Sequence, residues 1–233
     1  MEKEMDIQII KGRVGNCYII KDEGTILVDT GMPGEFNNFS KRLKNAGINS
    51  KEIKAIVITH CHWDHIGCAK KIRDMTGAKV IVQKYEKDIL IKGKLTIPPS
   101  VTRWGKIIAV FLKGWSKKIS IEPSEVDIVI GEEDYSLEKF GIKGKIIFTP
   151  GHSPGSISVV LDSGEAFIGD MAMNGLPMTI GPNLPMFAED MPALKNSWRK
   201  LVNKGAKKIY PAHGKPFPVE KLTGKLTGSN LHS

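Results

Sequence analysis

Short apolar runs, each bounded by glycine or a polar turn, alternate along the chain with amphipathic stretches of helical spacing. IQIIKG, NCYIIKDEG and TILVDTG come first, their β-branched and apolar residues marking strands and their glycines marking turns. FNNFSKRLKNAG follows with Phe36, Phe39 and Leu43 on one helical face and Gly47 as its stop. IKAIVITH predicts the next strand, HIGCAKKIRDMTG the helix after it, and KVIVQK another strand. Short strands resume from residue 126 as VDIVIG, DYSL, KIIFTPGH, SISVVLDSG and EAFIGD. A Met- and Pro-rich loop spans 171–192, MPALKNSWRKLVNKG predicts one long helix, and KKIYPAHG predicts the last strand. Strands in runs with interspersed helices predict two sheets with helices packed outside. No clear domain break divides residues 1–233, so one α/β domain is expected.

Residues 86–120 depart from this pattern. In TRWGKIIAVFLKGWSKKIS, Trp104, Ile108, Phe111 and Trp115 recur at three- to four-residue spacing and share one face of a helix. One reading packs that helix on the core. The sharper reading is an insertion that overhangs a site as a lid or builds a homodimer contact, with a peripheral membrane helix trailing behind.

Composition adds boundaries. The chain is 41% apolar and 25% charged, as in ordinary globular proteins, and no apolar stretch has the length of a membrane span. The start, MEKEMDIQII, is too acidic for a secretory signal, and three cysteines do not suggest a disulfide framework. A reducing cytoplasm is the expected location. The net charge is +9, with nine Lys or Arg against one Glu in 195–225 and nine against two acids in 84–118. These lysines are scattered, with few aromatics among them. A solvated face is favoured over nucleic acid or another anionic partner.

The histidines change the picture most. His60, His62 and His65 stand with Asp64 in THCHWDH, His152 follows KIIFTPG, Asp170 ends EAFIGD, and His213 follows KKIYPA. Four short apolar strands thus each run straight into a metal-ligating residue type. Neighbouring strands pointing the same way would gather these ends at one edge of a sheet. Residues two apart in an extended loop face the same way, so His60 and His62 can grip one metal while Asp64 and His65 face a second. Imidazole and carboxylate suit zinc, with iron or manganese as rivals, and an aspartate such as Asp170 can bridge a pair. Cys61 and Cys68, which flank the cluster, are expected to be small buried residues.

From NCYIIKDEGTILVDTG through THCHWDHIG, PGHSPGSI and GD to PAHG, the sequence resembles the metallo-β-lactamase fold superfamily. That resemblance implies a four-layer αββα sandwich with its ligands at the strand ends. Carried over by position, His60, His62 and His152 would hold one metal, Asp64, His65 and His213 the second, and Asp170 would bridge them. Asp29 would take a supporting place.

Two adjacent divalent ions bring a bridging water toward ionisation at neutral pH, so hydrolysis by metal-bridging hydroxide is the expected reaction, with Asp64 accepting or relaying the proton. The resemblance also narrows the substrate. β-Lactamases of this fold generally lack the bridging aspartate, which makes β-lactam cleavage at most a side activity. Acyl-homoserine lactonases carry a tyrosine where Met173 stands, and the arm and downstream His-Ser-Thr of the tRNA 3′-end ribonucleases are not evident. A stand-alone, glyoxalase II-like hydrolase of a small ester, thioester or lactone is therefore expected. The Met-rich loop would either wall an acyl pocket or fill core. Phosphodiester or RNA hydrolysis, and a non-catalytic binding domain of the same fold, are the alternatives.

Overall fold

The computed structural model describes residues 5–96, 99–101, 105–107, 109–110, 114, 119–175 and 184–227. Two six-stranded sheets form its centre. The first runs in spatial order β1 (Asp6–Lys11), β2 (Asn16–Lys21), β3 (Thr25–Val28), β4 (Ile53–Val57), β5 (Lys79–Gln83) and β6 (Ile128–Ile130). Its first three strands are an antiparallel meander, and β3 to β6 pair in parallel. The second sheet contains β7 (Tyr135–Ser136), β8 (Gly144–Phe148), β9 (Ile157–Leu161), β10 (Glu165–Phe167), β11 (Lys208–Tyr210) and β12 (Phe217–Pro218), again as spatial neighbours in sequence order.

Period-two alternation sorts the strand residues into layers. Tyr18, Ile20, Ile26, Val28, Val57 and Ile81 of the first sheet meet Ile146, Ile157, Val159 and Phe167 of the second in one buried cluster. Their strand neighbours Ile19, Leu27, Ile56, Val80 and Val82 face away, onto α1 (Phe36–Asn45) through Phe39 and Leu43, and onto α3 (Ala69–Thr76) through Ala69 and Ile72. On the far side, Ile147, Val160, Ala166 and Ile209 pack on Leu194, Trp198 and Leu201 of α5 (Met191–Asn203). The layers are therefore helix, sheet, sheet, helix, as the resemblance implied.

Two expectations are corrected. The stretch HIGCAKKIRDMTG is not one helix: α2 (Trp63–Ile66) and α3 are separated at Gly67 and Cys68. The loop after β3 takes the bonds that would continue the turn. Thr30 gives both its backbone N–H (2.8 Å) and its hydroxyl (2.6 Å) to the His65 carbonyl, and Gly67 N–H goes to the Gly31 carbonyl at 2.8 Å. A Cβ at residue 67 would lie 2.1 Å from the Pro33 nitrogen, so the close approach requires glycine. The strands of the second sheet that lead into candidate ligands are also not all neighbours. β8 and β10 run the same way but are separated by antiparallel β9, and only β10 and β11 pair in parallel.

After α4 (Lys87–Lys92), residues 105–107 and 109–110 are helical. Trp104, Ile108, Phe111 and Trp115 lie outside the described residues, as does His232. Residues 99–101 run alongside 186–188, through Val101 N–H to the Met186 carbonyl (2.9 Å) and Ala188 N–H to the Pro99 carbonyl (3.1 Å). Ala109 packs on the buried trio Met173, Met186 and Phe187. Within the Met-rich loop, Met171 lies in the outer core, so at that position methionine fills core. Beyond β12, Glu220–Thr227 forms α6, an element not foreseen from the sequence pattern. No helix among the described residues is long and apolar enough to cross a membrane.

Candidate metal centre

The C-terminal ends of β4, β8, β10 and β11 converge, and with them all seven candidate residues. They fall into two groups, His60 with His62 and His152, and Asp64 with His65, Asp170 and His213, whose ligand-type atoms lie within 4.8 Å of one another in each group. Asp64 is partly exposed, and the other six are buried.

Hydrogen bonds at the back of each ring decide what its front atom offers. His152 Nδ1–H donates to the Phe187 carbonyl at 2.8 Å, leaving the Nε2 lone pair forward. The Thr59 hydroxyl donates to the Asp29 carboxylate (2.8 Å), so it can only accept from His60 Nδ1–H, at 3.1 Å, and His60 Nε2 also points its lone pair inward. These two Nε2 atoms stand 3.1 Å apart, and His62 Nδ1 stands 2.9 Å from that of His152. Two lone pairs at such a distance repel unless a cation lies between them.

The second group has the same logic. His65 Nδ1–H donates to Asp29 Oδ2 at 2.8 Å, and His213 Nδ1–H to the Val14 carbonyl at 3.0 Å. Their Nε2 atoms face Asp170 Oδ1 at 3.3 and 3.2 Å, and His213 Nε2 lies 3.3 Å from Asp64 Oδ2. His65 Nε2 and Asp170 Oδ1 are buried without a hydrogen-bond partner. The second Asp170 oxygen, Oδ2, turns to the other group, 3.7 Å from His152 Nε2. One carboxylate thus addresses both groups.

Electrostatics separates the halves. Burial, reinforced by neighbouring imidazoles, holds His60 well below the usual histidine range and His62 at about 3. Burial lowers His152 as well, so all three are neutral donors as metal ligation requires. In the other half burial is outweighed by carboxylates. Asp29, Asp170 and Asp64 raise His65 well above its usual range, and Asp170 and Asp64 bring His213 up to about 10. Burial pushes Asp170 up, but His213 and His65 win and hold it well below the carboxylate range. This half therefore demands positive charge at its centre. The orphaned Nε2 and Oδ1 are placed for a cation between them rather than for a hydrogen bond. Both donor sets fit divalent metal ions.

A sequence profile of the metallo-beta-lactamase superfamily matches residues 10–213, which include every candidate residue. The chain belongs to the metallo-β-lactamase superfamily. Within that superfamily it is 29% identical, over 208 residues, to a probable metallo-hydrolase of Methanocaldococcus jannaschii, covering 87% of this chain and 89% of that one. It is 29% identical over 168 residues to a hydroxyacylglutathione hydrolase of Pelagibacter ubique, covering 71% of this chain and 55% of that protein. An archaeal metallo-beta-lactamase superfamily protein from Sulfolobus tokodaii superposes with a TM-score of 0.70 at 22% identity, over 99% of this chain and 89% of the other. The protein is a metallo-hydrolase of this superfamily, and its His and Asp groups suit divalent metals.

Other residues around the candidate site support it from behind. Asp29 was expected to support, and it does so from a left-handed backbone (φ 60°), accepting from Thr59 N–H (2.8 Å), the Thr59 hydroxyl and His65. The carbonyls of Val14 and Phe187 and the buried Glu86 carry no residue-type signal that would have announced them. Cys61 and Cys68 are buried free thiols whose pKa values burial raises, so neither supplies a thiolate.

Proposed function

We propose that this metallo-hydrolase uses two divalent ions, zinc foremost with iron or manganese as rivals, to hydrolyse an ester, thioester or lactone of a small acyl compound. The observation that carries the two-ion reading is the division of Asp170, with Oδ1 toward His65 and His213 and Oδ2 toward His152. His60, His62 and His152 would hold one ion, Asp64, His65 and His213 the other, and Asp170 would bridge. Bound there, such ions supply a water-derived nucleophile at neutral pH and polarise the oxygen under attack.

The chain's own residues do the rest. Asp29, Thr59, Val14 and Phe187 fix the rings of His65, His60, His213 and His152 through their Nδ1 atoms, so these four imidazoles offer Nε2 in one direction. Asp64 is the most open of the seven, its side chain 11% exposed, which suits a group that takes a proton from the site and passes it to solvent. Likeness to a hydroxyacylglutathione hydrolase supports a thioester among the candidate bonds. Phosphodiester cleavage is less favoured, because Lys84, Lys92 and Lys204 of the basic segments are paired with Glu132, Asp88 and Asp134.

The test is metal analysis of purified protein, followed by assay on thioesters, lactones, phosphodiesters and β-lactams. About two ions per chain, with acyl-bond hydrolysis lost in His62→Ala and Asp170→Ala, is the expected result. One iron per chain with oxygen consumption would overturn it.

A further inference from the structure

Glu86 is a buried acid outside the candidate ligand set, 2% exposed, at the N-terminal boundary of α4. An acid there would ordinarily turn toward the free N–H groups of its own helix. Its side chain makes no capping bond. It reaches instead into the gap between two loops. One oxygen accepts Cys61 N–H at 2.9 Å, and the other accepts the Ser153 hydroxyl at 2.6 Å and Gly155 N–H at 3.2 Å.

The identity of those partners gives the arrangement its meaning. Cys61 lies between His60 and His62, and Ser153 follows His152 directly. One carboxylate therefore ties together the two loops that deliver the three nitrogens of the first group. The approach is tight, since a Cβ at residue 155 would lie 2.4 Å from Glu86 Cγ, which accounts for glycine at that point of GHSPGS. The Asp64 group rests on other supports, Asp29 behind His65 and the Val14 carbonyl behind His213.

We propose that Glu86 is a positioning residue that sets the spacing of His60 and His62 against His152, and so governs metal affinity in the three-histidine half selectively. The proposal rests on the two-ion reading above. Removing an outer support of a metal site typically costs about 10- to 100-fold in affinity. That loss should fall on one ion only.

Zinc titration against a chromophoric chelator tests this on the wild type, Glu86→Gln, Glu86→Ala and Ser153→Ala, with the unfolding temperature of each metal-free protein measured alongside. The expected result is two ions on the wild type. In E86Q one ion keeps wild-type affinity and the other weakens about 10- to 100-fold, with a smaller loss of the same kind in S153A. The ion that E86Q retains should give the cobalt(II) visible spectrum of the ion retained by His152→Ala. Glu86→Ala removes an acceptor from three buried donors and can unfold the chain, so the near-isosteric E86Q decides. Equal weakening of both ions, or no weakening of either, overturns the proposal while the two-ion reading stands. A wild type that binds fewer than two ions overturns both.

Discussion

The Asp29 carboxylate accepts the Nδ1 proton of His65 at 2.8 Å while its own backbone holds the left-handed conformation, φ 60°. Aspartate and asparagine tolerate that conformation better than other residues with a side chain, and β-branched residues tolerate it least. The backbone cost at residue 29 is thus tied to the aim of a site residue. Asp29→Asn should still fold, with the metal-free unfolding temperature lower by about 2–12 °C, because one of the donors at Thr59 or His65 loses its acceptor, at about 1–3 kcal/mol. Zinc affinity should drop about 10- to 100-fold. An unchanged zinc titration would show that Asp29 does not orient His65.

Asp170→Ala removes the carboxylate that faces both groups. Losing a ligand should exceed the cost of losing an outer support, so turnover is expected to fall by at least about 100-fold. Metal content should drop toward one ion per chain by atomic absorption. Two tightly held ions in Asp170→Ala would contradict the bridging role.

Chelation should destabilise the fold. An ion at 1,000 times its dissociation constant stabilises the native state by about 4 kcal/mol, and a chain of this length shifts by about 2–4 °C per kcal/mol. Calorimetry with and without EDTA should therefore show a drop on the order of 10 °C. Coincident transitions would argue that the His and Asp groups hold nothing tightly.

Asp127 provides a pH-dependent prediction away from the site. Burial pushes its carboxyl up, but hydrogen bonds from Arg73, Val80 N–H and Lys79 outweigh it and hold the pKa at about 2. Since this lies below the unfolded value near 3.9, the contribution is complete above about pH 5 and fades as pH falls from about 4 to about 2. The partners lie at the solvent boundary, so we expect only about 1 kcal/mol. Urea unfolding of Asp127→Asn should differ from wild type by that amount at pH 6 and by much less at pH 2.5. A gap of the same size at both pH values would rule out the ionised carboxylate as its source.

The clustering of the candidate residues was legible because a rare residue type recurs at the same place after successive strands. The strand β4 leads into His60, His62 and, one helical turn on, His65, while β8 and β11 lead into His152 and His213, and a metal site is a reading that uses all five together. The layers were legible because alternation in residues such as Tyr18, Ile19 and Ile20 sorts side chains by face. The interposition of β9 was not, since strand order within a sheet depends on tertiary pairing. Nor was the break at Gly67, because the group that ends α2 is Thr30, more than thirty residues earlier. Glu86 was hidden for a similar reason. Its partners come from two other loops, and nothing in QKYEKD distinguishes it from a surface acid.

The distribution of the seven candidates over the chain has a consequence for how the protein matures. His60, His62, Asp64 and His65 leave β4 of the first sheet, whereas His152, Asp170 and His213 leave strands of the second. On the two-ion reading, neither sheet by itself presents a full set for either ion. High-affinity metal uptake should therefore begin only once the second sheet has formed and docked on the first. The centre then serves as a late checkpoint of assembly, and a chain interrupted before residue 213 would fail it even with its first half correctly folded.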